Sequence, residues 1–394
     1  MADLLSGYRT LAGPDEMFAS DGSVRPGYLE FAERFRRWDG DEYRTRQSAS
    51  DLEQLNGGVT FTVYQDQAGT ERILPFSLIP RIITGGEWTV IEAGLVQRVT
   101  ALNRFLTDLY GDQHSVRDGV IPAELVEGAV GFNPRMRGFV PPLGVWAHIA
   151  GIDLIRDVDG IFRVLEDNVR TPSGVSYVLE NRRTMLNVVP DLFPAGSVAP
   201  VDEYPDRVLD MLVSVRPAGI EADETRAVIL TPGSYNSAYF EHSFLARQMG
   251  IELVEGRDLL VHDHHVYLRA TTGLEPVHVI YRRVDDDFLD PTVFRFDSSL
   301  GVAGLFDAYR AGNVTIVNAI GNGLVDDKVT CRFVPDAIRY FLGEEPIIPN
   351  VETYIGAVPS DLEFMLANLG DLVMKPTNAS AWVRDRDRAA GERG

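Results

Sequence analysis

Two patterns of apolar residues divide the chain into predicted helices and strands. Apolar residues at spacings of four and three run from Leu95 to Leu109 and end at Gly111, which predicts a long helix with one buried face. Helical spacing also covers most of residues 1–57. Later in the chain, short apolar runs alternate with helical segments, so the whole pattern predicts an α/β fold.

A β-α-β unit is predicted where residues 227–230 form a short apolar strand and residues 251–254 form the next one. The segment between them has apolar residues at helical spacing. Open α/β sheets bind ligands in the loops that follow the carboxyl ends of their strands, and Tyr235 and Asn236 lie in such a loop. Further strands are predicted at residues 277–281, 314–317 and 371–375.

A hairpin within residues 145–168 is the most informative stretch. Its Asp-Gly pair at 159–160 is typical of a two-residue turn, in which both central residues have positive φ. Counting outward from this turn places Asp153 opposite Glu166, and Asn168 lies on the same face because side chains alternate along a strand. Like charges placed opposite each other destabilise a strand pair, whereas two carboxylates and an amide oxygen suit Mg²⁺. The alternative is that these acids are simply solvated at strand ends.

Three further stretches contain polar candidates. Ser173 precedes a helical pattern that Pro190 ends, so we expect an N-cap there, and an anion can bind at a helix N-terminus beside a metal site. Capping alone would also explain this serine. Arg283 follows the predicted strand 277–281, where it suits bidentate capture of a carboxylate; an ion pair with the neighbouring aspartates is an equally good interpretation. The histidines within residues 262–265 occupy a hairpin tip, which favours a solvated turn over a metal site.

Charge and cysteine content narrow the class of protein. A formal net charge of −21 and a sequence pI near 4.7 argue against nucleic-acid binding, which requires a basic surface. The single cysteine, Cys331, excludes a disulfide within the chain. The N-terminal residues do not resemble a signal peptide, and no apolar run has membrane-spanning length. We therefore expect a cytoplasmic protein that handles small molecules, binds neither nucleic acid nor membrane, and can form a homo-oligomer.

Several motifs resemble those of ATP-grasp ligases, bacterial glutathione synthetase in particular. The GID and E-x-N sequences of the hairpin, followed by a helix start that contains proline, resemble the magnesium-binding end of these enzymes. Arg283-Val284-Asp285 with Phe288 resembles a substrate-binding stretch, Asp326-Asp327-Lys328 a helix start, and residues 372–376 the strand with the second nucleotide-binding lysine. The metal segment comes last in ordinary ligases, whereas here it comes first. This order is similar to that of circularly permuted type 2 ATP-grasp proteins over residues 15–376, with the motifs VLEDNVRTPSGVSYVLENR, TPGSYNSAYFEH, YRRVDDDFLDP and RYFLGEEPIIPN.

The resemblance implies ATP-dependent formation of an amide. A carboxylate substrate would be phosphorylated to an acyl phosphate, and an amine would then displace phosphate. ATP and Mg²⁺ are the implied cofactors, and a small-molecule carboxylate and amine are the implied partners. The implied roles are metal ligation by Asp153, Glu166 and Asn168, nucleotide binding by Lys328, Lys375 and Ser173, and contact of Arg170 and Arg283 with the transferred phosphate or the acceptor carboxylate.

The motif positions divide the chain into five expected segments. We expect an N-terminal helical segment over residues 1–57, the metal-binding ATP-grasp half over 58–200, and an inserted Rossmann-like pre-ATP-grasp domain for substrate over 201–325. The second ATP-grasp half starts within 326–376, and residues 377–394 form an aberrant, disordered tail. Because this tail lacks the family's Gly-rich phosphate-covering loop, we expect a truncated or frameshifted chain in which the C-terminal nucleotide-clamp portion is missing.

Two other interpretations are open. A truncated family member would be a catalytically impaired remnant that acts as a binding module. Alternatively, Asp153 and Glu166 would suit a metal-dependent or two-carboxylate hydrolase, because carboxyls opposed across a strand pair lie close together. The hydrolase interpretation leaves both lysine segments unexplained.

Overall fold

The structure is a computed structural model that describes residues 4–9, 15–63, 70–193 and 196–377. The predicted tail therefore lies outside the described residues from position 378 onward. Within the described ranges, no helix is both long enough and apolar enough to cross a bilayer.

The elements alternate between helix and strand, as the apolar pattern predicts. The first part of the chain forms α1 (Leu29–Phe35), α2 (Gly40–Asn56), β1 (Thr60–Val63), β2 (Thr70–Ile73), α3 (Gly85–Tyr110), α4 (His114–Arg117), α5 (Ala123–Glu127), β3 (Gly151–Arg156), β4 (Phe162–Asn168) and α6 (Val175–Val188). The middle forms α7 (Tyr204–Ser214), β5 (Ala227–Leu230), α8 (Tyr239–Met249), β6 (Glu252–Val254), β7 (Leu259–His262), β8 (His265–Ala270), β9 (Gly273–Val277) and β10 (Val279–Arg282). The last part forms α9 (Asp286–Leu289), α10 (Leu305–Arg310), β11 (Thr315–Val317), α11 (Lys328–Cys331), α12 (Val334–Leu342) and α13 (Pro359–Ala367).

Four parallel strands form the central sheet, in the order β11, β10, β5, β6. Their residues are almost all buried, and successive side chains enter two different apolar clusters on opposite faces of the sheet. The β-α-β unit of β5, α8 and β6 confirms the prediction for that stretch. All four strands lie within the segment predicted as Rossmann-like, although the boundaries of the five segments stay predictions.

The remaining strands form small antiparallel sheets: β1 with β2, β3 with β4, and the three-stranded β7-β8-β9. The turn between β7 and β8 has positive φ at Asp263 (47°) and His264 (59°), which is the conformation of a two-residue hairpin turn. Its histidine and aspartate side chains are exposed, so the prediction of a solvated turn is confirmed.

The β3-β4 hairpin has the predicted pairing of Asp153 with Glu166, but its turn differs from the prediction. Within the turn only Gly160 has positive φ (79°), and Asp157 N–H donates to the Ile161 carbonyl, so three residues connect the strands instead of two. This turn alone would shift the register by one position. A β-bulge at Leu165 adds one residue to β4 and restores the pairing of Asp153 with Glu166. The predicted turn was wrong, and the predicted pairing is confirmed.

Two predicted strands are wrong in part or in whole. β3 begins at Gly151 instead of residue 145, because the amides of residues 146–149 donate to the side-chain oxygens of Asn103 and Asn318 and not to a neighbouring strand. Residues 371–375 form no strand; this segment lies beside the start of α11, where Lys328 N–H donates to the Thr377 carbonyl at 3.1 Å.

Helix α3 is longer than its apolar stripe predicted, because a capping box of Thr84 and Glu87 starts the helix at Gly85, ten residues before the stripe begins. Within this helix Arg98 is 1% exposed, and its guanidinium donates twice to Asp167 of β4, at 2.6 and 2.7 Å. The same guanidinium donates to the Asn350 side-chain oxygen at 2.8 Å. Arg98 therefore joins the site hairpin to α3 and to the segment after α12.

Replacing Arg98 with Met should destabilise the protein by about 3–5 kcal/mol, because it leaves the carboxylate of Asp167 buried without its partner. Urea unfolding followed by circular dichroism measures this change. The control is Arg44→Met, which removes an ion pair with Asp41 whose side chains are 73% and 89% exposed, and which should cost no more than about 0.5 kcal/mol. Equal effects of the two substitutions would contradict the role given to the buried pair.

Candidate functional site

A polar cleft of about 530 Å³ lies between the β3-β4 hairpin, the start of α6, the loop from β5 to α8, and the two lysine segments. All eight of the predicted site residues line it, although they come from five separate stretches of the chain. They are Asp153, Glu166, Asn168, Arg170, Ser173, Arg283, Lys328 and Lys375.

The hairpin presents two carboxylates and an amide on one face. Asp153 and Glu166 are directly paired across the strands, and Asn168 Nδ2 donates to Asp153 Oδ1 at 3.3 Å. Burial and the charge of Glu166 raise the pKa of Asp153 above its ordinary value. In the described part of the chain no three Asp, Glu, His or Cys side chains converge to hold a metal. A divalent ion here would thus need the Asn168 oxygen together with both acids, a donor set that suits Mg²⁺.

Two lysines meet at Glu166. Lys328 Nζ lies 3.3 Å and Lys375 Nζ 3.5 Å from the same Glu166 oxygen, Oε2. They are the only lysines in a chain with 37 basic residues, and the other basic residues are all arginine. An ammonium group is a compact point charge that can change partners, whereas an arginine presents a fixed planar fork. The restriction of lysine to these two positions is visible in the sequence and by itself points to both residues as candidates for the site.

Hydrogen bonds to backbone bring the two lysine segments together. Asp327 caps α11 by accepting from Val329 N–H at 2.8 Å, and Asp326 accepts from the amides of Val169 and Arg170 at 2.7 and 3.1 Å. Asp326 thereby ties the start of α11 to the end of the hairpin. Together with the bond between Lys328 N–H and the carbonyl of residue 377, these contacts place both ammonium groups beside β4.

The two arginines have different environments. Arg170 is 29% exposed in its side chain and makes long ion pairs of 3.5 Å with Asp285 and Asp326. Its Nε is buried and makes no hydrogen bond within the described residues. The Arg170 side chain is therefore held near its place by long ion pairs, and its partly exposed guanidinium lines the cleft.

Arg283 is buried and donates to the Pro172 carbonyl at 2.6 Å, while its ion pair is with Glu241, at 3.3 Å. The interpretation that Arg283 pairs with the neighbouring aspartates was thus wrong. Arg282 makes such a pair instead, with Asp286 at 2.6 Å. Capture of a substrate carboxylate by Arg283 stays a prediction.

Glu241 is a residue that the sequence did not single out. Its Oε2 accepts from Gly174 N–H at 2.6 Å and from Ser176 N–H at 3.1 Å, so it caps α6 from a different helix. The predicted capping by Ser173 is wrong, because Gly174 is the N-cap residue and has a φ of 118° that places the serine outside the helix. Ser173 remains exposed on the wall of the cleft.

The cleft is electrically balanced in a strongly acidic protein. Four basic residues, Arg170, Arg283, Lys328 and Lys375, and four acidic residues, Asp153, Glu166, Asp285 and Asp326, line it, whereas the whole chain has a net charge of −21. Adding one divalent cation would make the lining positive by two charges. Such a cleft suits a ligand with several negative charges that arrives with a metal ion.

Comparison with known proteins identifies the family. A family model described as "A circularly permuted ATPgrasp" matches residues 80–383. An uncharacterized protein of Synechocystis sp. is 50% identical over 92% of this chain and 75% of its own length. A Frankia alni protein named "Putative glutamate--cysteine ligase 2-3" is 41% identical over 93% of this chain and 42% of its own length. Among solved structures, an apo glutathione synthetase like-effector of Globodera pallida has a TM-score of 0.49 at 14% identity, over 78% of this chain and 69% of that chain.

The chain spans different shares of these relatives. It covers three quarters of the Synechocystis protein, 64–65% of four mycobacterial relatives, and less than half of the Frankia protein. The family model matches more than half of this sequence. The chain therefore belongs to the circularly permuted ATP-grasp family.

Proposed function

We propose that this chain catalyses ATP-dependent ligation of a carboxylate to an amine, forming a peptide-type amide through an acyl phosphate. Family membership implies ATP binding. The observation that supports the proposal best is the convergence of both lysines on Glu166, beside Asp153 and Asn168. This is the arrangement expected of groups that exchange partners when a metal and a polyphosphate bind together.

The proposed roles follow from the ligand-free contacts. The lysines neutralise Glu166 in the absence of ligand, and nucleotide phosphates would attract both ammonium groups away from it. Glu166, Asp153 and Asn168 would then be available to hold Mg²⁺, which offsets the charge that builds up on the phosphate oxygens during transfer. Nucleotide and metal would therefore favour each other's binding.

The chemistry needs two steps. A carboxylate oxygen of the acid attacks the γ-phosphorus of ATP, and the bond to the β–γ bridging oxygen breaks to release ADP. The amine nitrogen then attacks the acyl carbon, the bond to the phosphate oxygen breaks, and the nitrogen loses a proton. Arg170 is the better candidate to contact the transferred phosphate because its side chain is 29% exposed, whereas that of Arg283 is only 2% exposed. Arg283, already bound to Glu241, supplies a stationary positive charge behind the cleft.

The name of the Frankia relative gives a first pair of substrates to test. Glutamate–cysteine ligation is a carboxylate–amine reaction of the proposed class. The match covers only 42% of that protein, so the name can refer to the portion that this chain does not match. Glutamate and cysteine are therefore starting compounds for the assay and are not part of the proposal.

Chemical labelling of amines tests nucleotide binding directly. Reductive methylation can modify only the N-terminal amine, Lys328 and Lys375, because the chain has no other lysine. Mg²⁺ with ATP should slow the labelling of both lysines by about tenfold or more, since ionic hydrogen bonds to phosphate are worth about 1.5–3 kcal/mol. Mass spectrometry measures each amine, and the N-terminus is the internal control. Unchanged labelling of both lysines at saturating ATP would rule out the proposed nucleotide site.

Metal binding should depend on pH through Asp153. A metal ligand must be deprotonated, and the pKa of Asp153 is raised, so Mg²⁺ affinity in the presence of ATP should fall on acidification at a higher pH than for an ordinary aspartate. Asp153→Asn should abolish this dependence and weaken Mg²⁺ binding. In the metal-free protein the raised pKa lowers stability above that pKa, so the same substitution should not be destabilising.

Titration calorimetry with Mg²⁺ at several pH values measures this effect. The matched control is Asp157→Asn, an acid of the same hairpin that pairs with Arg163 at 2.9 Å and does not line the cleft. Identical pH profiles for the native chain and Asp153→Asn would exclude Asp153 as a ligand.

Turnover separates the ligase from the remnant and the hydrolase. ADP release should require an acid and an amine together, and Glu166→Gln should lower kcat by about a hundredfold or more, a typical effect of removing one charge-stabilising group. Coupled ADP detection with pooled acids and amines measures it. ATP binding without turnover for any pair would support the remnant that acts as a binding module. Metal-dependent hydrolysis that ATP does not affect would support the hydrolase.

A further inference from the structure

The wall of the cleft opposite the hairpin has no assigned role. It consists of Asn236, Ser237, Ala238 and His242, which we call the histidine lobe, and it is formed by the loop after β5 and the first turn of α8. Helix α8 has 11 residues, and its N-cap residue Ala238 makes no side-chain cap, although Asn236 accepts from the amides of Ala238 and Tyr239. The positive end of the helix dipole, with the amides that follow in the first turn, favours a negatively charged group.

The hydrogen bonds of His242 define its tautomer. Its Nδ1 lies 2.9 Å from Thr231 Oγ1, and that oxygen also accepts from Gly233 N–H at 3.2 Å. Thr231 is 2% exposed, and its hydroxyl proton has no other acceptor in the described chain. A buried hydroxyl without an acceptor would cost free energy, so the threonine donates and Nδ1 accepts. The ring proton of a neutral His242 must then be on Nε2.

The Nε2 atom of His242 is available to a ligand in the cleft. His242 is 2% exposed yet lines the cleft, and its Nε2 makes no hydrogen bond with any part of the chain that the structure describes. Burial, and secondarily the charge of Arg283, lower the pKa of His242 to about 2, so the ring stays neutral. An N–H of a cleft-lining side chain that has no partner in the described protein can donate to an acceptor on a bound ligand.

We propose that the histidine lobe binds a carboxylate of the small-molecule substrate, with His242 Nε2–H as a donor to one oxygen. The amide nitrogen of Asn236 is a second donor, since its oxygen is already engaged by Ala238 N–H at 2.9 Å. The positive end of α8 and the nearby Arg283 favour a carboxylate over the corresponding carboxamide. His242 is thus a specificity-determining residue for the ligation, and this inference rests on the proposed function.

Glutarate and its monoamide are suitable probes, used without nucleotide. In nitrogen-15 spectra of the seven histidines, the signals that disappear in His242→Gln should be those of an Nε2–H tautomer, and glutarate should shift them more than the monoamide does. His242→Phe should weaken glutarate binding about 10- to 100-fold, as expected for one hydrogen bond to a charged group. His242→Gln retains a donor near the position of Nε2 and should stay within a few-fold of the native chain.

Three results would overturn the inference: an Nδ1–H tautomer at His242, no response of its resonance to glutarate, or equal glutarate affinity in the native chain and His242→Phe. If His242→Phe does not fold, the tautomer in the native chain and the His242→Gln titration still decide. The amine-labelling experiment separates this inference from the proposed function. If glutarate binds but ATP does not protect the lysines from labelling, the proposed ligase is refuted and carboxylate binding at the histidine lobe stands. If ATP protects the lysines but glutarate does not bind, only carboxylate binding at the lobe is refuted.

Discussion

The buried ion pair between Arg98 and Asp167 is the contact on which the site depends. Asp167 stands between Glu166 and Asn168 on β4, and because side chains alternate along a strand it points away from them. Asp167 thus binds the interior through Arg98, while Glu166 and Asn168 line the cleft. The guanidinium of Arg98 also contacts Asn350 and Cys331, the latter only three residues after Lys328. The buried guanidinium of Arg98 therefore connects the hairpin, α3 and the segment that follows Lys328.

The charge of the cleft differs from the charge of the whole chain. The chain is strongly acidic, yet its cleft contains equal numbers of acidic and basic residues. Arginines that serve the structure are buried with defined partners, as Arg283 is with Glu241 and the Pro172 carbonyl. The two lysines instead share one oxygen of Glu166, and their side chains are 22% and 25% exposed. Partly exposed contacts between exchangeable charges suit a site that rearranges around a ligand, whereas the buried arginine contacts suit a rigid part of the structure.

The hairpin explains why part of the site could be predicted. The pairing of Asp153 with Glu166 was inferred from a two-residue turn, but the turn has three connecting residues and a bulge at Leu165 compensates. A three-residue turn with glycine in the left-handed conformation is a local alternative that the sequence also permits. The bulge at Leu165 lies next to Val164, whose backbone bonds to residues 349 and 351, and these contacts are not visible in the local sequence. The convergence of the carboxylates was correct, since the two deviations cancel. The predicted N-cap of α6 was wrong because the cap comes from Glu241, which is distant in sequence, and not from Ser173.

Local patterns were sufficient for helices α1 and α2, the long helix α3, the β-α-β unit and the residue types at the hairpin end of the cleft, because helix and strand periods and turn residues act over short distances. The motifs also led to the eight predicted site residues, each of which lines the cleft, through their resemblance to a family. Only the tertiary structure decided which polar groups meet: the convergence of both lysines on Glu166, the pairing of Arg283 with Glu241, and the contact of His242 with Thr231. Each of these is a contact between residues brought together by chain folding, and its energy depends on burial that no local stretch of sequence specifies.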